Sequence, residues 1–379
     1  MTWTDNDRNR FLHWRSVCRS QLSEAGELHD KSGYVSEHAL SLISQERMLC
    51  PFIPESFGGL GMSMHVIAAL HEEMGRSCAS LRSLLTVHSM VAFSINRSGT
   101  FQQKQRFLPY LVSGQLLAAF ALSEERAGSD PSAMITTASR SDEGWVLNGH
   151  KKWISLATIA NLFLVFARTT DERISAFLVP ADLQGVNVEP ISGIRSMRAS
   201  MLGHIHFDNC QLNHDALLGI EGFGFPFIAT DALTLGRLSV ASGALGMLQD
   251  CLEHLTVYAS KRQQGGQVIV EHQLVKEKLA SIIVDLTAGR ALTKKTAIQM
   301  DADQVNAAVT ACITKQFCSQ ACSRGTSDAV QLFGAKGIAE DSPVFRHYQD
   351  ARVNEIIEGS TQILSLLIAE QASLEEPYP

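Results

Sequence analysis

Glu358 lies in QDARVNEIIEGSTQI, residues 349–363, between the apolar pair Ile356–Ile357 and the small run Gly359–Ser360–Thr361. A carboxylate among apolar neighbours can act as a general base, because desolvation raises its pKa towards neutrality. Gly359 and Ser360 would let a substrate pass close by. The same residues also read as a helix start. STQILSLLIAEQAS has apolar residues at helical spacing behind a Ser N-cap, and an acid just ahead of it suits the exposed N–H groups. A second candidate is Arg82, which interrupts the small and apolar helical run CASLRSLLTVHSM, residues 78–90. It is either a surface arginine on an amphipathic helix or a pocket cation that pairs with an anionic or polar ligand group. His88 does not share its helix face and reads as a packed core histidine.

Composition narrows the chemistry. The chain has 379 residues, 45% hydrophobic and 19% charged, enough to bury a sizeable core in two or three domains or one composite unit. A net charge of −7 with mixed signs and no basic stripe argues against a nucleic-acid partner. Eight cysteines (18, 50, 78, 210, 251, 312, 318 and 322) form no C-x-x-C pair. Cys318 and Cys322 share a helix face, but no nearby His or Cys completes a metal site, so buried thiols and no metal are expected. The opening MTWTDNDRNRFLHW lacks a signal-peptide apolar region and transit-peptide character, and no apolar run approaches a membrane span. A cytoplasmic protein with no membrane association is expected.

Three zones must position these residues. From 1 to 115, VIAALHEEMGRSC and QQKQRFLPYLVSG carry the helical period, after the turn-rich PESFGGLGMS. From 116 to 220 the runs LLAAFAL, GWVLNG, NLFLVFART, RISAFLVP and HIHFDNCQL read as strands, with a hairpin-like SDEGWVLNGHKKW. From 221 to 379 helices return and run to the end. Helices, a β block, then helices is an α+β order with no βαβ alternation. No G-x-G-x-x-G follows a strand, which leaves a dinucleotide Rossmann fold without support, and there is no P-loop or HExxH.

Five stretches stand in one order: PESFGGLG (54–61), ALSEERAGSD (121–130), NGHKKWIS (148–155), YASKRQQGGQVIVEHQ (258–273) and QLFGAKG…DARVNEIIEGS (331–360). Together they resemble the acyl-CoA dehydrogenase family of flavoproteins over nearly the full chain. The resemblance implies an N-terminal α-helical domain, a middle β-barrel or sheet domain and a C-terminal four-helix bundle. It also implies non-covalent FAD and a homo-oligomer, either dimer or tetramer. Leu122 and Ser123 would meet the flavin ring through backbone N–H groups and a hydroxyl, while Gly128 and Ser129 approach the pyrophosphate. Trp153 and Ser155, read as one side of a strand, would pack on the isoalloxazine and reach N5. Arg262, Gln273, Gln331 and Gly334 match positions at the adenine–pyrophosphate end, the first two typically reaching a neighbouring subunit's FAD; Ser360 and Gln362 join the cofactor set. Glu358 falls on the position of the catalytic base in the commonest branch. In other branches the base precedes an arginine on an earlier helix; here that pair is Gly236–Arg237, and glycine cannot be a base. Arg237 and Arg82 are the candidate substrate contacts.

Departures from the family pattern are themselves grouped. Glu125–Arg126 replaces Pro-Gly, Gly265 replaces an aromatic, Ala335 a glycine and Ile357 a tyrosine. SEERAGSDPSAM, EIIEGS and the segment around Arg82 look like the acyl-carrier-protein dehydrogenases that supply hydroxymalonyl, later methoxymalonyl, or aminomalonyl extender units to polyketide and hybrid peptide pathways. That likeness implies an acyl carrier protein as partner, its phosphopantetheine arm bearing a 2-hydroxy- or 2-amino-3-oxopropionyl group to be oxidised at C3. The electron acceptor is left open. Two other readings compete: an α,β-desaturating dehydrogenase of short-chain acyl-CoA, and a catalytically dead binding member.

Overall fold

The computed structural model describes residues 3–170 and 173–370. Six helices come first: α1 (Asp5–Ser20), α2 (Ala25–Ser32), α3 (Glu37–Gln45), α4 (Met64–Ser77), α5 (Ala79–Ser98) and α6 (Phe101–Ser113). Local sequence sets several of their starts. Thr4 with Asp7, and Thr100 with Gln103, form capping boxes in which each side chain satisfies the other's backbone N–H.

Eight strands make one sheet: β1 (Ala118–Ala121), β2 (Thr137–Ser141), β3 (Gly144–Ile154), β4 (Leu162–Arg168), β5 (Ile174–Pro180), β6 (Val186–Pro190), β7 (Gly203–Asn213) and β8 (Leu217–Leu218). Their order is β6-β7-β3-β2-β4-β5-β8, with β1 pairing in parallel with β4. β4 is apolar up to Arg168 and β5 is apolar except for Ser175; both are buried almost throughout, as strands covered on both faces should be. β2 and the two-residue β8 have no apolar alternation, and that of β6, Val186 and Val188 only, is too short to mark a strand in sequence; TASRS and VNVEP are largely exposed.

The C-terminal helices are α7 (Thr230–Lys261), α8 (Gln273–Asp301), α9 (Ala307–Phe333), α10 (Pro343–Asn354) and α11 (Thr361–Ala369), with a small hairpin, β9 (Gln263–Gln264) and β10 (Gln267–Val268), before α8. α7 is buried without interruption from Thr234 to Leu248 and packs on α4, α5, α8, α9 and α10. A helix apolar on all sides belongs at such a centre. Its crossing with α4 is close because two glycines meet: a Cβ on Gly75 would come within 2.5 Å of the Gly243 Cα. The fold is the expected one, with a sheet between an N-terminal helical region and a C-terminal bundle. All eight cysteines are free and buried, and no group of His, Cys, Asp or Glu among the described residues could hold a metal. No helix among them is long and apolar enough to cross a membrane.

Candidate active site

The segment after α10 turns sharply, and Glu358 adopts a left-handed backbone, φ 55°, followed by Gly359 at φ 94°. For a non-glycine residue this conformation costs about 1–2 kcal/mol, so something must hold it. Two buried cations do. Arg237 of α7 donates from Nε to the Glu358 carbonyl at 3.2 Å, and Lys315 of α9 donates from Nζ to the Gly359 carbonyl at 2.7 Å. Ser360 then N-caps α11 by accepting from the Ile363 N–H at 3.4 Å. The helix-start reading of these residues therefore holds for Ser360, while the acid itself turns inward.

Its Oε2 is buried with no hydrogen-bond partner. The carboxyl rests against α7 at Gly236, where an added Cβ would lie 2.7 Å from the carboxyl carbon and 3.0 Å from Met90 Sδ. Gly236 is thus more than a failed base: its missing side chain is the space the Glu358 carboxyl fills. Burial pushes Glu358 up to about 7, against the opposing pull of Arg237, Lys315 and Arg82. The apolar pair beside it contributes less than its sequence suggests, since Ile356 is 58% exposed; Met90 and the α7 backbone form the dry wall.

Arg82 is not a surface residue. It is 1% exposed, inside α5, and desolvation lowers it to about 10 although Glu358 and Asp350 favour its charge. Its hydrogen bonds go to neutral groups: Thr86 Oγ1 at 3.1 Å, Asn354 Oδ1 at 3.4 Å and Met197 Sδ at 3.9 Å. Thr86 continues to Ser239 at 2.5 Å and Ser239 to His71 at 2.7 Å. No described carboxylate forms an ion pair with it. A buried guanidinium held only by neutral partners is costly unless an anion arrives. His88 is a core histidine, as expected, bonded to the Leu111 carbonyl at 3.0 Å and the Ala118 N–H at 3.2 Å.

The candidate cofactor residues form a different kind of surface. Leu122 and Ser123 follow β1 and are partly exposed, while Gly128 and Ser129 are exposed. The N–H groups of Ser123, Gly128 and Ser129 have no partner among the described residues, and nothing lies within 4 Å of the place a Gly128 Cβ would take. Behind this loop Glu124 accepts from the Ile135 and Thr136 N–H groups at 2.7 and 3.1 Å and from buried Lys151 at 2.8 Å. Trp153 is 57% exposed and meets His204 edge-on at 5.8 Å. Strand alternation does not place it there. β3 ends at Ile154, its pairing with β7 shifts register between Lys151 and Ile154, and Trp153 has φ 60°. Ser155 follows in the turn, so the expectation of one strand side for both is corrected: an irregularity of the bulge type re-aims the side chains. The Ser155 hydroxyl makes no bond to a described residue.

Arg262 caps the end of α7, Gln273 opens α8, and Gln331 and Gly334 close α9; all are exposed. Packing of Tyr258 on Phe333, with ring centroids 4.3 Å apart, draws these helix ends together. No hydrogen bond or ring contact among the described residues ties them to Trp153 or Ser155. Gln362 is exposed on α11. Lys315 and the Glu124–Lys151 pair were not singled out from the sequence. The signal for Lys315 was the one that flagged Arg82, a lone charge within the small and apolar run ACITKQFC.

Unsatisfied N–H groups at a small-residue loop, an open indole face and a free hydroxyl fit a flavin nucleotide. Family profiles agree. Those of the acyl-CoA dehydrogenase N-terminal, middle and C-terminal domains match residues 12–115, 119–210 and 222–373. The human mitochondrial short-chain specific acyl-CoA dehydrogenase is 35% identical over 85% of this chain and 79% of its own length. Butyryl-CoA dehydrogenase from Megasphaera elsdenii superposes with a TM-score of 0.94 at 28% identity, covering 99% of this chain and 100% of that one. FkbI, for biosynthesis of the methoxymalonyl extender unit of the Fk520 polyketide, superposes with a TM-score of 0.89 at 29% identity over 96% and 99% of the two chains. The chain belongs to the acyl-CoA dehydrogenase family, FAD-dependent oxidoreductases that act on acyl thioesters.

Proposed function

We propose that this enzyme oxidises a three-carbon polar acyl group, a 2-hydroxy- or 2-amino-3-oxopropionyl thioester on a carrier-protein phosphopantetheine arm, to the corresponding malonyl-type unit. The observation that carries the reading is Arg82: a buried cation without a carboxylate partner, electrostatically coupled to Glu358. An alkyl acyl end would leave that guanidinium without a hydrogen-bonded anion, whereas a polar end or a new carboxylate would pair with it. The likeness to FkbI points the same way.

In this mechanism Glu358 is the base. Water adds to the C3 aldehyde to give its hydrate. Glu358 then removes one hydrate O–H proton, that oxygen's C–O bond becomes the carbonyl as C3–H leaves as hydride, and the other hydroxyl remains as the carboxylic acid O–H. FAD, when bound, supplies the acceptor for the hydride. A near-neutral carboxylate can take the proton at working pH and release it afterwards. Arg82 holds the acyl end and meets its growing negative charge. Ser123, Gly128, Ser129 and Ser155 offer hydrogen bonds to the flavin and its pyrophosphate, and Trp153 offers its indole face. Leu122, Ser360 and Gln362 complete the same set. Arg262, Gln273, Gln331 and Gly334 serve the adenine end, with Arg262 and Gln273 reaching a second subunit's cofactor in a homodimer or a tetramer built from such pairs.

Similarity to the human short-chain enzyme favours a second reading, in which Glu358 takes an α-proton from a short acyl-CoA. Intact-protein mass spectrometry separates the two. A carrier protein loaded with the 3-oxopropionyl substrate should gain one oxygen on incubation with the FAD-loaded enzyme, while butyryl-CoA should barely reduce an acceptor dye. Rapid butyryl-CoA turnover with an unchanged carrier would overturn the proposal.

A further inference from the structure

Lys315 is fully buried, yet its one hydrogen bond among the described residues is to a neutral acceptor, the Gly359 carbonyl. A neutral donor could fill that role without the cost of burying an ammonium. Two carboxylates act on it, Glu358 and Glu355. Glu355 is already occupied, accepting from Ser323 at 2.6 Å and Arg352 at 3.0 Å. Glu358 is left, its Oε2 without a hydrogen-bond partner.

We propose that Lys315 is a positioning residue for the base: it pins the left-handed Glu358–Gly359 turn through the Gly359 carbonyl and favours the ionised form of Glu358 through its charge. Arg237 performs the backbone half of this task one residue earlier, so two helices grip successive carbonyls. The charged groups whose fields reach Glu358 are Arg237 from α7, Lys315 from α9 and Arg82 from α5, all cationic. Those facing Lys315 are Arg237, Glu355, Glu358 and the Cys312 thiol on its own helix. Burial lowers Lys315 to about 8, which keeps it mostly protonated where Glu358 titrates.

The inference rests on Glu358 being the base, and the test separates the two. FAD-loaded Lys315→Met, Lys315→Gln and Lys315→Arg are compared with wild type for the pH dependence of flavin reduction by substrate. Infrared difference spectra follow the Glu358 carboxyl band, identified by its loss in Glu358→Gln. Removing the charge should move both the rising limb and the carboxyl titration upward by about one pH unit in the Met and Gln variants, lowering the rate below neutrality about tenfold. Gln, which can still donate to Gly359, should keep a higher plateau than Met, and Arg should leave the limb in place. Superimposable limbs and carboxyl titrations for wild type, Met and Gln would overturn the role. So would failure of both Met and Gln to fold, which would assign Lys315 to the fold itself. A wild-type rate in Glu358→Gln would instead remove the base reading on which the inference stands.

Discussion

Around Glu358, Arg82, Arg237 and Lys315 the protein has already placed its charges: all three cations are buried and hydrogen-bonded, on three different helices of one chain. Along Ser123, Gly128, Ser129, Trp153 and Ser155, and again at Arg262, Gln273 and Gln331, it has done the reverse. There the Ser123, Gly128 and Ser129 N–H groups have no partner among the described residues, the indole is open and the polar side chains are exposed or partly so. The Glu358 pocket is preorganised by packing, while the surface proposed for the cofactor leaves polar groups for a ligand to complete. Preorganised charge in a dry site is what accelerates a proton transfer, and unsatisfied surface donors are what a bound cofactor exchanges for water. Substitutions in the first region should therefore change rates at constant flavin content. In the second they should change flavin retention.

The sharpest break is Glu358→Gln, which keeps size and polarity but removes the base. Turnover should fall by about 10²–10⁴-fold with the flavin spectrum and assembly intact; loss of FAD together with activity would erase the distinction between the regions. Arg82→Met comes next. Losing a buried charged hydrogen bond to the acyl end, worth about 1.5–3 kcal/mol, should reduce kcat/KM for the polar carrier substrate by roughly 10- to 100-fold, again in a yellow protein. An undiminished rate would leave Arg82 a packing residue.

On the cofactor side, Arg262→Ala combined with Gln273→Ala should weaken FAD retention and shift the assembly towards smaller species together, seen by absorbance and light scattering on one column. Full flavin on a monomer would contradict the cross-subunit assignment. Ser155→Ala is the smallest effect: one hydrogen bond, about 0.5–1.5 kcal/mol, read as a modest change in the flavin spectrum and reduction rate.

The two regions also differed in how well the sequence revealed them. The buried strands β4 and β5 stood out by their nearly unbroken apolar runs, but not β2, which has no pattern, or β6, whose alternation is limited to Val186 and Val188. From its neighbours Glu358 read equally as a base or a helix-start acid, and the reason for its dry surroundings was not legible: Ile356 is exposed, and the wall comes from Met90 and Gly236, more than a hundred residues away in sequence. Arg82 could not be read as buried because only tertiary packing covers α5 on every side, burying it without interruption from Ala79 to Ala92. Trp153 escaped strand alternation through a register shift that no residue type announces. Lone charges inside small, apolar helical runs, Arg82 and Lys315, were the most informative signal and the easiest to dismiss as surface residues.

The pH dependence of single-turnover flavin reduction in the wild-type holoenzyme bears most directly on the claim that a buried, cation-flanked Glu358 does the chemistry. Glu358, held near 7 by burial, is competent only when ionised, so the rate should rise with pH along a limb centred close to neutrality and level off above it. A rate that stays flat from mildly acidic to mildly alkaline pH would contradict the assignment of Glu358 as the base.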